Sequence, residues 1–180
     1  MPDRTVGCGC LLVASPALLD PNFARCVVLV ISHDDEGSFG LVLNRPLEQK
    51  LSELLPDVQA AAATIPVLQG GPVQTDVLQF VSQDTRAGRP VVEGVSVGAS
   101  LAELLKECAE GRSARAFLGH AGWGPRQLEH ETADGSWIVA PARAAHVFEI
   151  PADQLWARVL RELGGRYAWM AFEAGDPGNN

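Results

Sequence analysis

Short apolar runs that follow one another in hairpin order, with few helices among them, predict an α+β fold whose sheets are largely antiparallel. The strand half of this prediction rests on residues 26–32 (CVVLVIS) and 39–44 (FGLVLN), short runs of β-branched and apolar residues. The helical half rests on residues 100–110 and 151–163, where apolar residues recur at helical spacing. With 180 residues, 47% of them apolar and 20% charged, the chain suits one domain over 1–180 whose core needs no disulfides.

The elements follow in order. Residues 9–14 read as a first strand, ended by Ser15-Pro16. The runs 26–32 and 39–44 form a hairpin, with HDDEGS as a long loop between them. Pro46 cannot donate to a ladder, so Asn44-Arg45-Pro46 ends the second strand. A short helix is expected next, with Leu47, Leu51, Leu54 and Leu55 on one face and Pro56 as its stop. The run 59–66 (QAAAATIP) fits a loop or a frayed helix. Residues 67–72 (VLQGGP) and 77–83 (VLQFVSQ) give two more strands around Gly70-Gly71, 84–90 a turn, and 90–98 (PVVEGVSVG) another strand. Ser100 and Glu103 make a capping box for a helix over 100–110, with Leu101, Leu104, Leu105 and Cys108 on one face and Gly111 as its stop. Residues 114–119, 136–142 and 145–150 are strand-like. Pro151 opens a helix with Leu155, Trp156, Val159, Leu160 and Leu163 inward, closed by Gly164-Gly165. The tail 173–180 reads as loose.

Charge and cysteine usage narrow the function. Fourteen Lys and Arg against 22 Asp and Glu leave a net charge of −8, which argues against direct nucleic-acid binding. No apolar run is long enough to span a membrane, and LLVA near the start is too short for a signal sequence, so a cytoplasmic protein is expected. Only Cys8 and Cys10 lie close together, and no second pair completes a zinc pattern. Reduced thiols are expected, with Cys26 and Cys108 in the core. His33, Asp34, Asp35 and Glu36 sit at a hairpin tip where adjacent side chains splay apart, so no metal is expected there.

Three motifs bear on chemistry. Gly94-Val95-Ser96-Val97-Gly98 matches the G-x-S-x-G nucleophile elbow, and Asp134 and His146 follow in the hydrolase order. Yet the next helix is capped only at Ser100, so Ser96 reads as a strand serine. Gly70-Gly71 could cradle an anion with backbone amides, but no Lys-Ser/Thr follows to make a P-loop. No G-x-G-x-x-G opens a helix, so no nicotinamide cofactor is expected. The third motif is GHAGWGPRQLEHE (119–131). Pro125 fits the first position of a helix running through Thr132, and Gly119, Gly122 and Gly124 supply a turn before it. The stretch reads first as a strand–turn–helix joint with Trp123 and Leu128 as apolar anchors, and second as a recognition surface. His120 and His130 fall on different elements, and Glu129 and Glu131 do not face each other. Gln127 is the expected ligand-facing member, because its amide both donates and accepts.

LLVASPALLDPNFARCVVLVISH, GLVLNRPL, LQGGPV, FLGHAGWGPRQLEHE with SWIVAPA, and the ending LW…VLRELG…GDPGNN together resemble the AlgH/YqgE family of bacterial proteins over nearly the whole chain. The resemblance implies a single α+β domain whose sheets curl into a partial barrel. It brings no catalytic set, metal or cofactor; one branch is labelled a transcriptional regulator. Matching positions are Asn44-Arg45-Pro46, Gly70-Gly71-Pro72, Gly119, Gly122, Trp123, Gln127, Leu128, Glu129, Glu131 and Trp137. Of these, Asn44, Arg45, Gly70, Gly71, Trp123, Gln127 and Glu129 are the expected ligand-facing set, with Asn44 and Gly71 across a shared cleft. Cys26 stands where a serine is more usual and His120 where a tyrosine is frequent, which argues against a required hydroxyl or imidazole there. The resulting expectation is a non-enzymatic binding or regulatory protein of the cytoplasm that acts through a protein partner or small ligand. The alternatives are a hydrolase-type enzyme and a direct nucleic-acid-binding regulator.

Overall fold

The computed structural model describes residues 5–55, 64–83 and 88–173. Its strands are β1 (Cys10–Ala14), β2 (Val27–Asp34), β3 (Gly37–Val42), β4 (Val67–Gln69), β5 (Val73–Ser82), β6 (Arg89–Val92), β7 (Val95–Val97), β8 (Ala114–Trp123) and β9 (Trp137–Pro141). The helices are α1 (Leu51–Leu54), α2 (Leu101–Ala109), α3 (Gln127–Ala133), α4 (Ala144–Phe148), α5 (Ala152–Leu163) and α6 (Gly165–Glu173). The strands join in the order β6-β7-β5-β8-β3-β2-β1-β9, with β4 added beside β8. All of these pairs are antiparallel except β4–β8. The fold is α+β with a largely antiparallel sheet, as expected, and the sheet curls into a half-barrel, as the family resemblance implies.

The central strands are apolar on both faces, which is why they read as continuous runs rather than alternating ones. Leu11, Val13, Val27 and Leu29 face one cluster, which α5 covers with Leu155, Trp156, Val159 and Leu160. Leu12, Ala14, Val28 and Val30 face another, completed by Trp123, Leu128 and Trp137. A third cluster joins Leu51 of α1 and Leu104 of α2 to Val67 and Ala116. Two predicted helices form with the expected signals. Ser100 and Glu103 cap α2 reciprocally. In α5, Pro151 is the N-cap and Gly164 ends the helix. Within it, the Trp156 indole donates to the Ala14 carbonyl at 2.8 Å, tying the helix to β1.

Several local expectations are corrected. The 26–44 hairpin has no long loop: pairing runs to Asp34↔Gly37, leaving Asp35-Glu36 as the turn. Asp34 Oδ1 accepts the Glu36 N–H and so stabilises that tight reversal. Residues 90–98 are not one strand but the hairpin β6–β7, because Glu93-Gly94 supplies a turn in mid-run. The expected helix after Pro46 is only the four residues of α1, and its Pro56 stop lies outside the described residues, as do most of the 59–66 run, residues 84–87 and the tail from 174.

Residues 145–150, expected as a strand, instead carry most of the helix α4, with Glu149 and Ile150 in the turn after it. His146 Nδ1 accepts the Arg143 N–H at 3.1 Å, so its Nε2 carries the proton and donates to Glu162 at 3.0 Å. This buried imidazole fastens α4 to α5, and tertiary contact overrides the local strand preference. Burial pushes the Glu162 carboxyl up, but hydrogen bonds from Arg158 and His146, with the charges beside it, outweigh this and hold it below the ordinary value. A carboxylate depressed in the folded state stabilises above its unfolded pKa, and that contribution is lost as pH falls through the folded value. Glu162→Gln should therefore lower the melting temperature at neutral pH, with the gap from wild type narrowing in acid. A gap that stays constant across the titration would contradict a role for the ionised carboxylate.

Candidate functional site

The stretch 119–131 is built differently from its expectation. Gly119–Trp123 is not a turn but the second half of β8, paired with β3 through Ser38↔Trp123 and Gly40↔Ala121. The reversal is confined to Gly124-Pro125-Arg126. The helix starts at Gln127 rather than Pro125, because Arg126 takes a left-handed conformation (φ 61) that is uncommon outside glycine.

Glu131 organises this joint. Its Oε2 accepts both the Trp123 and Trp137 indole N–H groups, at 2.9 and 2.8 Å. Its Oε1 accepts the Gln127 amide at 2.8 Å, and Gln127 Oε1 in turn accepts the Gly124 N–H at 3.0 Å. The two indole rings meet edge to face at 5.8 Å, and Phe23 lies against both. Trp123 is buried, as expected of an anchor. Gln127 is exposed, but both ends of its amide are engaged within the joint. Glu129 points the other way and lies half exposed, 3.9 Å from His33 Nε2; the other ring nitrogen of His33 bonds Ser38 Oγ at 2.7 Å.

The other expected site residues serve the backbone. Asn44 is buried: its Oδ1 accepts the Val27 N–H and its Nδ2 donates to the Arg25 carbonyl, both at 2.9 Å. Arg45 donates to the Ala24 carbonyl. Both thus hold the turn that enters β2, and Phe23 on that turn reaches the tryptophan pair. Gly70 donates to the Leu118 carbonyl at 2.8 Å. Gly71 lies flat against the His120 backbone, where an added Cβ would come within 2.1 Å. The structure therefore joins Asn44, Arg45 and Trp123 through one turn and sets Gly70 and Gly71 against the middle of β8. The His120 ring stacks on Phe39 at 4.5 Å, and burial pushes its pKa down. Cys26 is buried, and burial pushes its thiol up to about 12 despite the nearby Arg45 charge. It behaves as a small apolar side chain. Cys108, expected in the core, is half-buried at its edge.

Beyond Gly164-Gly165, where no further helix is expected from the sequence, the chain forms α6. Tyr167 and Met170 pack on the core and Ala171 is buried, but Trp169 and Phe172 stand 60% and 62% exposed. Their rings lie 5.6 Å apart. Beside them, Met170 and Glu173 face Ser15, Pro16 and Ala17 across an open cleft of about 350 Å³. Leu19, on the same loop, is 82% exposed. The signal was present in GRYAWMAFE, but two of its large apolar residues point at water. Among the described residues, no group of three or more His, Cys, Asp or Glu is placed to hold a metal ion, and no helix is long and apolar enough to cross a membrane.

A half-barrel of mainly antiparallel strands, with helices packed on it and an apolar cleft at its last helix, defines an α+β protein of the curled-sheet type. The chain belongs to the AlgH-like family (DUF179), whose model matches residues 11–168. It is 38% identical to a UPF0301 protein of Thioalkalivibrio sulfidiphilus over 173 residues, covering 91% of this chain and 93% of that one. It is 39% identical to a UPF0301 protein of Streptomyces avermitilis, covering 96% and 94%. The solution structure of the AlgH protein from Pseudomonas aeruginosa matches with a TM-score of 0.73 at 30% identity, over 97% of this chain and 99% of that one. A crystal structure of a Corynebacterium diphtheriae protein matches with a TM-score of 0.79 at 25% identity, over 95% and 94%.

Proposed function

We propose that this chain is a non-enzymatic binding protein that regulates through a protein partner seated on α6 and the 15–19 loop. The observation that carries the reading is the exposed Trp169–Phe172 pair beside the apolar cleft. Contiguous exposed apolar surface marks interaction sites, and tryptophan is enriched among residues that dominate binding energy. Glu173 lines the cleft and the chain carries −8, so the complementary partner is a basic amphipathic helix: apolar side chains for the cleft, Lys and Arg for the rim. Arg166, at the other end of α6, is turned onto the Tyr167 ring at 4.8 Å. Ser96 is fully buried in β7 against Ser82 Oγ at 2.9 Å, which favours binding over the hydrolase alternative. The acidic charge favours a protein partner over DNA.

The test is a titration of synthetic leucine–lysine and leucine–glutamate helices, followed by tryptophan emission. The basic helix should bind and the acidic one should not. Combining Trp169→Ala with Phe172→Ala should weaken binding more than about tenfold, since hot-spot aromatics each contribute about 2 kcal/mol or more. The double variant keeps the net charge, so unchanged affinity would expose non-specific attraction and overturn the reading. A tighter complex with duplex DNA, or concentration-dependent self-association abolished by the double variant, would also overturn it.

A further inference from the structure

We propose that Cys8-Gly9-Cys10 is a thiol–disulfide exchange site for low-molecular-weight anionic disulfides, with Cys8 attacking and Cys10 resolving. The backbone brings the two thiols into one tight turn. Cys10 N–H donates to the Gly7 carbonyl at 3.2 Å, and Gly9 takes the left-handed position (φ +80) just before Cys10. Residues two apart lie within about 7 Å even when extended. A turn brings them nearer than that limit, toward the separation of about 4.4–6.8 Å that a disulfide spans. Gly9 is held there: an added Cβ would lie 2.6 Å from the Val91 carbonyl.

The two thiols differ in ways that assign their roles. Cys8 is exposed, and its Sγ donates to the Ile31 carbonyl at 3.0 Å. Ile31 sits at the register break in β2, between Val30 and Ser32. The same carbonyl accepts Arg89 Nη2 at 3.0 Å, which sets Arg89 Nη1 3.9 Å from Cys8 Sγ. A fixed guanidinium at an exposed sulfur attracts an anionic disulfide. Cys10 is half-buried against the second core cluster, and burial pushes its thiol up, so it is the less suited of the two to attack an outside disulfide first.

The exchange balances. Cys8, as thiolate, attacks one sulfur of the disulfide; a Cys8–sulfur bond forms, the original S–S bond breaks, and one thiolate leaves. Cys10 then attacks Cys8 Sγ, its proton passing through solvent to a departing thiolate, as that of Cys8 does. The Cys8–Cys10 bond forms, the mixed disulfide breaks, and the second thiolate leaves. The protein dithiol is oxidised by two electrons and the small disulfide is reduced to two thiols. A disulfide closed over one intervening residue is strained and exposed, which makes it readily reducible and suited to exchange.

Oxidised glutathione is the probe. The full chain is incubated with it, quenched with an alkylating agent and read by intact and peptide mass spectrometry. Wild type should pass through a single glutathione adduct on Cys8 to a product lacking two hydrogens, with the bond mapped to Cys8–Cys10. Cys10→Ser should stop at the adduct, Cys8→Ser should form neither, and Arg89→Met should slow the first step several-fold. Reduced glutathione should reverse the reaction. Adducts on Cys8 that never close in wild type, first modification at Cys10, or an unchanged rate in Arg89→Met with closure lost would each overturn the assignment.

Discussion

Trp123→Ala is expected to destabilise the protein by about 3–5 kcal/mol, the usual cost of truncating a well-buried aromatic. The ring fills the second core cluster between Leu12, Val28 and Leu128. Its indole N–H also engages Glu131, so truncation leaves that carboxylate with one indole fewer and the Trp137 ring without its edge-to-face neighbour. Gln127→Ala removes only an exposed amide and should cost far less. Denaturant melts separate the two. If Trp123→Ala melts like wild type and instead weakens partner binding, the 119–131 stretch is a recognition surface and the roles assigned here are reversed.

Gly71→Ala is expected to be at least as damaging as an ordinary overpacking change, about 3 kcal/mol or more. The new Cβ would lie 2.1 Å from the His120 carbonyl carbon, 2.2 Å from its oxygen and 2.4 Å from the Ala121 nitrogen. All three are backbone atoms of β8, a strand held between β3 and β5, and they cannot move aside as a flexible side chain could. The backbone at Gly71 also adopts φ +154, which L side chains rarely take. Gly124→Ala is the control, because its Cβ would meet only Gln127 Oε1 at 3.8 Å. Soluble yield and denaturant melts should show Gly71→Ala severely impaired and Gly124→Ala near wild type. A stable Gly71→Ala would mean that the chain between β4 and β5 does not rest on β8.

What the sequence made legible was what local chemistry specifies. The α2 capping box needs only Ser100 and Glu103, and both stand where the pattern placed them. The core face of α5 follows from apolar spacing alone. The β1–β3 strands were legible because burial on both faces makes them continuous apolar runs. The errors share a different cause. Gly119 and Gly122 looked like turn residues, yet they lie in β8, where Gly119 lets the Gly71 and Val73 backbones approach closely. Residues 145–150 looked like a strand because the contact that makes them helical, His146 to Glu162, comes from sixteen residues away. Glu131 was a matching position with no assigned role, since its two indole partners come from separate strands, β8 and β9. The α6 face was least legible of all. A helix that turns aromatic residues toward water breaks the rule by which amphipathic helices are recognised, and the proposed partner site rests on that exception.

The proposed recognition on α6 and the 15–19 loop leaves the 119–131 joint to serve the fold. Backbone amide exchange, measured with and without the basic amphipathic helix, tests it most directly. New protection is expected at residues 15–19 and 165–173, with residues 33–38 and 123–131 unchanged. Protection concentrated at 123–131 and the β2–β3 turn, with α6 unaffected, would contradict it.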